Sequence, residues 1–132
     1  MARNGSLGEV QLAILRVLWA KGEATVARVH EALSARRSVA PTTVATLLTR
    51  MEKKGLAAHR AEGRQFVYRA VVLERDVRRS LVAELTDRLF QGDPLALVNH
   101  LLTEGDVDPS EVARLKETIG RHVRAKGGRR GA

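Results

Sequence analysis

Apolar positions recur along this chain at helical spacing in six stretches, and in one stretch they alternate. Leu7, Val10, Ile14, Val17 and Leu18 mark one face of a first helix. Leu12, Leu15 and Trp19 widen that stripe, which predicts a largely buried helix. Ser6 and Glu9 stand at capping-box spacing and place its start at Ser6, and Lys21-Gly22 ends it. A short extended piece follows around Ala24-Thr25. Thr25 is then the expected N-cap of a second helix whose Val26, Val29, His30 and Leu33 share a face, until Arg36-Arg37-Ser38 breaks the pattern. A third helix opens near Pro41, carries Val44, Leu47, Leu48 and Met51 on its apolar side, and closes at Gly55. Leu56–Ala61 and Gln65–Val71 are short β-compatible runs around Glu62-Gly63-Arg64, with Phe66 and Tyr68 alternating against Val67 and Arg69, which predicts a hairpin.

The last third reads as three amphipathic helices. The first carries Leu73, Val77, Leu81, Leu85 and Leu89. The second starts at Asp93-Pro94 and carries Leu95, Val98, Leu101 and Leu102. The third starts at Asp108-Pro109-Ser110-Glu111 and carries Val112, Leu115, Ile119 and Val123. Beyond them, the Gly- and Arg-rich residues 127–132 read as a disordered basic tail.

Charge adds a direction to this pattern. The 132 residues carry a formal charge of +8, unevenly spread. Residues 1–72 hold 12 Lys/Arg against 5 Asp/Glu, residues 73–120 hold 6 against 10, and residues 121–132 hold 5 against none. A basic N-terminal half suits a polyanion, and a mildly acidic middle faces something else. The chain has no Cys, which removes disulfide scaffolds, thiolate metal sites and Cys nucleophiles. His30, His59, His100 and His122 are scattered, with no pair at i, i+3 or i+4, so each is read as a structural or surface residue rather than a ligand. His30, on an apolar helix face, reads as a satisfied core histidine. No phosphate loop, dinucleotide fingerprint or nucleophile motif appears, so an enzyme, a cofactor and a metal site are not expected. Apolar runs are too short for membrane insertion, and no signal-peptide stretch opens the chain, so a cytoplasmic location is expected.

Three helices followed by a hairpin is the order of a winged helix-turn-helix. The third helix has the chemistry of a recognition helix: one apolar face to anchor it, and an opposite face of Thr42, Thr46, Thr49, Arg50 and Lys53, flanked by Thr43 and Lys54. Thr supplies a hydroxyl and a methyl for base edges, and Arg a fork matched to guanine. Thr is a mediocre helix former, so four within eight residues points to a role. Thr42, Thr43, Thr46 and Arg50 are therefore the candidate base readers. Lys53 and Lys54 are candidate phosphate contacts, with Arg60 and Arg64 of the hairpin beside them.

The three C-terminal helices are too short to bury their own stripes. A symmetric dimer would cover Leu81, Leu85, Leu89, Leu95, Val98, Leu101, Leu102, Leu115 and Ile119 and would pair two recognition helices. The alternative is a monomer in which these helices fold back on the first. The expected organisation is thus a DNA-binding domain over residues 1–72, a helical dimerisation domain over 73–126 and the tail. Function divides between a sequence-specific duplex-DNA repressor, a non-specific or architectural nucleic-acid-binding protein, and a winged-helix protein-interaction module. Few aromatics argue against stacking on single strands.

Several segments, taken in order and spacing, resemble the penicillinase repressor family of BlaI/MecI type. They are Leu7-Gly8-Glu9, Val17-Leu18-Trp19, Gly22–Val26, Val29–Leu33, Thr42-Thr43-Val44, Leu47, Arg50, Lys53–Leu56, Tyr68-Arg69, and Leu89-Phe90 through Leu97-Val98. The likeness runs from about Leu7 to Ile119. It implies a homodimeric transcriptional repressor on operators with inverted TACA/TGTA elements, often upstream of β-lactamase or related stress genes. It also implies base or backbone contacts at Thr42, Thr43, Thr46, Arg50 and Arg64, and a membrane sensor-protease pathway that cuts an Asn-Phe bond. His100-Leu101 stands at that bond here in place of Asn-Phe, and the Cys-x-Cys metal motif of a copper-responsive branch is missing.

Overall fold

The computed structural model describes residues 7–105 and 107–131, with side chains through Lys126. Its elements run α1 (Glu9–Lys21), β1 (Ala24–Thr25), α2 (Val26–Ser34), α3 (Pro41–Lys53), β2 (Ala57–Glu62), β3 (Gln65–Ala70), α4 (Glu74–Phe90), α5 (Pro94–Glu104) and α6 (Pro109–Gly131). The strands form an antiparallel sheet in the order β1-β3-β2. Two compact units divide between Glu84 and Leu85, inside α4. The winged unit thus reaches past residue 72, because Val72 and Val77 pack on its core.

That core is made where the helical stripes meet the sheet. Ile14, Leu15 and Leu18 of α1, Val29 and Leu33 of α2, and Val44, Leu48 and Met51 of α3 are buried together with Ala24, Ala57 and Tyr68. Helix α1 begins at Glu9 rather than beside Ser6, which lies outside the described residues. Gly8 is its N-cap: the Gly8 carbonyl accepts the Leu12 amide at 2.9 Å, and the Gly8 N–H donates to Gln11 Oε1 at 3.1 Å. The side chain reaching back comes from Gln11, so Glu9 is left to favour the positive end of the helix dipole. Trp19 Nε1 donates to the Val72 carbonyl at 2.9 Å, tying α1 to the chain leaving the sheet.

The helix-turn-helix is held by side chains at both ends of α2. Thr25 Oγ1 accepts from the Arg28 amide at 3.1 Å, as an N-cap should. His30, half-buried, donates from Nε2 to the Val39 carbonyl at 2.9 Å and so fastens the turn before α3. Pro41 occupies the first helical position of α3. At the other end Gly55 takes φ +81°, its amide donates to Glu52 O at 3.0 Å, and the Leu56 amide donates to Met51 O at 2.9 Å. That pair of bonds is a Schellman motif, and it turns the chain directly from α3 into β2.

In the second unit α5 and α6 open on the expected caps. Asp93 Oδ1 accepts from the Leu95 amide at 3.0 Å. Asp108 Oδ1 accepts from the Glu111 amide, and Glu111 Oε1 accepts from the Asp108 amide, both at 3.1 Å, which completes a capping box. The backbone of α6 continues to Gly131, so residues 127–131 extend the helix where a disordered tail was expected. Ala132 lies outside the described residues.

Leu48 has 0 % exposure while Thr46 on the same helix is exposed. Leu48→Ala should therefore cost about 2–5 kcal/mol of unfolding free energy, and Thr46→Ala less than about 0.5 kcal/mol, measured by urea denaturation. At α6, hydrogen bonds from the Ser110 hydroxyl and then the Glu111 amide hold the Asp108 carboxyl below its ordinary value. A depressed folded-state pKa stabilises the helix start above the unfolded value and loses that contribution as pH falls through the folded one. Helical chemical shifts at residues 109–112 should therefore fade on acidification from about pH 5 to about pH 2, and should change less with pH in Asp108→Ala.

Candidate nucleic-acid interface

The face of α3 opposite its core contacts is wholly exposed. Val44, Leu48 and Met51, at i, i+4 and i+7, are each 0 % exposed and fix the helix from below. Thr42, Thr43, Thr46, Thr49, Arg50 and Lys53 are exposed on the far side, with Lys54 at the C-cap. Thr49 Oγ1 donates to the Ala45 carbonyl at 3.0 Å, so that hydroxyl is spent within the helix. The side chains of Thr42, Thr43, Thr46, Arg50, Lys53 and Arg64 have no hydrogen-bond or ion-pair partner among the described residues. The structure therefore brings together on one surface the three hydroxyls and two of the three cations singled out along α3, with their donors unspent.

The hairpin supplies the second part of the surface. Glu62 pairs with Gln65 across a two-residue connection, with Gly63 at φ +62°. A glycine with positive φ at the first central position is what a tight type II′ hairpin demands. Arg64 follows it at the tip, beside Thr25, Val26 and Ala27 at the start of α2.

Arg60 has a different situation from the one expected. Its Nη2 and Nε donate to Glu23 at 2.5 and 3.3 Å, and its Nη1 donates to Glu62 at 3.2 Å. These hydrogen bonds push the guanidinium pKa up still further, and the bond from Arg60 holds the Glu23 carboxyl below the usual carboxylate range, helped by the charges of Arg60 and Arg69. Arg60 thus carries its own counter-charges, while Arg64 carries none among the described residues. Glu23 lies 37 positions away, and no local spacing signals the pairing. His59, read from sequence as a scattered histidine, proves to hydrogen-bond Glu52 at 2.6 Å and to stack on Phe66 at 4.1 Å.

In the second unit, Leu85, Leu89, Leu95, Val98, Leu101, Leu102 and Ile119 are exposed, Leu89 by 68 % and Leu95 by 76 %. Leu81 and Leu115 are half-buried. Among the described residues α5 has no buried side chain.

An anchored helix with an unspent polar face, next to a hairpin with a cation at its tip, defines a winged helix-turn-helix protein of the DNA-binding type. The sequence profile of the penicillinase repressor family matches residues 7–121. The chain is 37% identical over 117 residues to "Transcriptional regulator BlaI" of Mycobacterium tuberculosis, covering 86% of this chain and 84% of that one. It is 25% identical over 126 residues to "Penicillinase repressor" of Bacillus licheniformis, covering 96% and 98%. The solution structure of the DNA-binding domain of the repressor BlaI superposes with a TM-score of 0.50 at 32% identity, over 58% of this chain and 93% of that one. The chain belongs to the penicillinase repressor family, a family of transcriptional repressors and not of enzymes.

The two hairpin arginines should separate in binding experiments. If each of two wings in a complex places Arg64 on a phosphate, Arg64→Ala should lower the salt slope of duplex binding by about two units, and Arg60→Ala by less than about one. Fluorescence anisotropy on one duplex across a salt series measures both.

Proposed function

We propose that this chain is a homodimeric repressor that binds a pseudo-palindromic duplex operator with inverted TACA/TGTA-like elements and acts in the cytoplasm. Helix α3 enters the major groove, Thr42, Thr43, Thr46 and Arg50 read base edges, Lys53 and Lys54 meet phosphates, and Arg64 touches the backbone beyond the groove. The observation that carries this is the division of α3 into a fully buried face and an opposite face of unspent hydroxyls and cations. The names of the BlaI relatives support the repressor role. Residues 1–72 carry the binding surface, and the side chains that join two copies lie within residues 73–126.

The dimer reading rests on the apolar side chains that α4, α5 and α6 leave in solvent. Leu85, Val98, Leu101, Leu102 and Ile119 are between 37 % and 49 % exposed, a stripe that a lone protomer would keep in water. A second copy covers it and holds two half-sites at once, which raises affinity well beyond either alone. Operator release then follows loss of the dimer or cleavage within residues 91–107, the route a sensor-protease pathway would take. Cutting between His100 and Leu101 separates Leu95 and Val98 from Leu102 on α5. A metabolite or metal that abolished operator binding while the dimer stayed intact and uncut would overturn that route.

Arg50→Ala should weaken binding by about 1–3 kcal/mol and flatten preference at one symmetric base position. Lys53→Ala should weaken all sequences alike and reduce the salt slope by about one unit per half-site. Equilibrium competition between operator-like and random duplexes reads both, and equal loss on the two duplexes for Arg50→Ala would reduce Arg50 to a phosphate contact. Val98→Asp should sediment as a monomer and lose cooperative binding to a palindromic site. A dimer of unchanged stability in that variant would remove this surface from the interface.

A further inference from the structure

The hairpin projects from the core, and its inner face has a graded hold on α3. At the base, Ala57 and Tyr68 are 2 % and 4 % exposed and belong to the core. One step further out, His59 pairs with Tyr68 across the strands, and its Nδ1–H donates to Glu52 Oε1 on α3 at 2.6 Å. The imidazole also stacks on Phe66 at 4.1 Å with planes 24° apart, and lies 5.4 Å from the Tyr68 ring. Beyond it, Ala61 through Phe66 are all exposed. Glu52–His59 therefore ties α3 to the wing beyond the core contacts, and through Phe66 it reaches the strand that leaves the tip. The outer face has a tie of its own from Arg60 to Glu23, whose side chains are 51% and 45% exposed. Such a pair is readily screened by salt. The His59 and Glu52 side chains are only 31% and 35% exposed and are backed by an aromatic stack.

We propose that Glu52 and His59 are positioning residues, a brace that fixes the wing tip relative to α3, so that the Arg64 contact with DNA depends on a hydrogen bond that does not itself touch DNA. The inference rests on the reading of Arg64 as a wing contact. A hairpin end that loses one of its ties moves more, and a moving cation loses orientation as well as ordering entropy when it binds. The conservative change Glu52→Gln keeps a carbonyl oxygen to accept the His59 N–H and keeps the brace. Glu52→Ala removes it.

The test is a double-mutant cycle on the full chain with a fixed palindromic duplex. In the unaltered chain, Arg64→Ala should weaken binding about tenfold, from two lost phosphate contacts. In a Glu52→Ala background the same change should cost less than about twofold, and in Glu52→Gln the full penalty should return. Arg50→Ala should cost the same in all three backgrounds, since α3 stays anchored by its core residues. Amide exchange at Ala61–Phe66 should be faster in Glu52→Ala than in Glu52→Gln, with α1 and α2 unchanged. An Arg64→Ala penalty that persists undiminished in Glu52→Ala overturns the brace and leaves the wing contact standing. A shrunken penalty at Arg50 as well as Arg64 also overturns it, as a general loss of fold. No Arg64→Ala penalty in the unaltered chain overturns the wing contact itself, and the inference with it.

Discussion

Everything on the binding side of this molecule depends on how α3 is held. Val44, Leu48 and Met51 are sealed from solvent on one side of a helix only 13 residues long, capped by proline at one end and by a Schellman turn at the other. Burial of three such side chains fixes the rotation of the helix about its axis, because turning it by one residue would expose one of them and bury a polar one. Thr42, Thr43, Thr46 and Arg50 face outward as a geometric consequence. The cap at Thr25 and the His30–Val39 bond then serve one end, fixing how α2 enters and leaves the turn that delivers α3.

Periodicity made most of this legible. Three apolar stripes of period 3.6, an N-cap threonine, a proline at a helix start, and a glycine between alternating strands are local signals, and each element they mark is present in its place. Where the reading slipped, the deciding interaction was of another kind. The start of α1 turns on Gln11 reaching back to Gly8, a pairing that sits two residues inside the Ser6–Glu9 spacing. The surface reading of Arg60 and His59 was incomplete because Glu23 is 37 positions from Arg60, and Glu52 is joined to His59 through a change of element. Such contacts exist only once the sheet has its register.

The second unit obeys a different constraint. Its helices are capped by their own Asp93, Asp108 and Glu111, so they form from local chemistry. Their apolar stripes, by contrast, are left half in water, and among the described residues the one buried side chain of α4 is Thr86. Secondary structure here is self-sufficient, while burial is not. The division between the units falls inside a continuous helix because Val77 belongs to the winged core and Leu85 does not.

The separation of faces on α3 has an evolutionary side. Three of its outward hydroxyls and two of its cations make no hydrogen bond or ion pair among the described residues, so mutations there are free of the compensations that buried positions impose. A duplicated copy of this gene could drift to a new target sequence one outward residue at a time, each intermediate still folded. If that outward face is what meets the target, lineages of such regulators diverge fastest there and slowest one residue away.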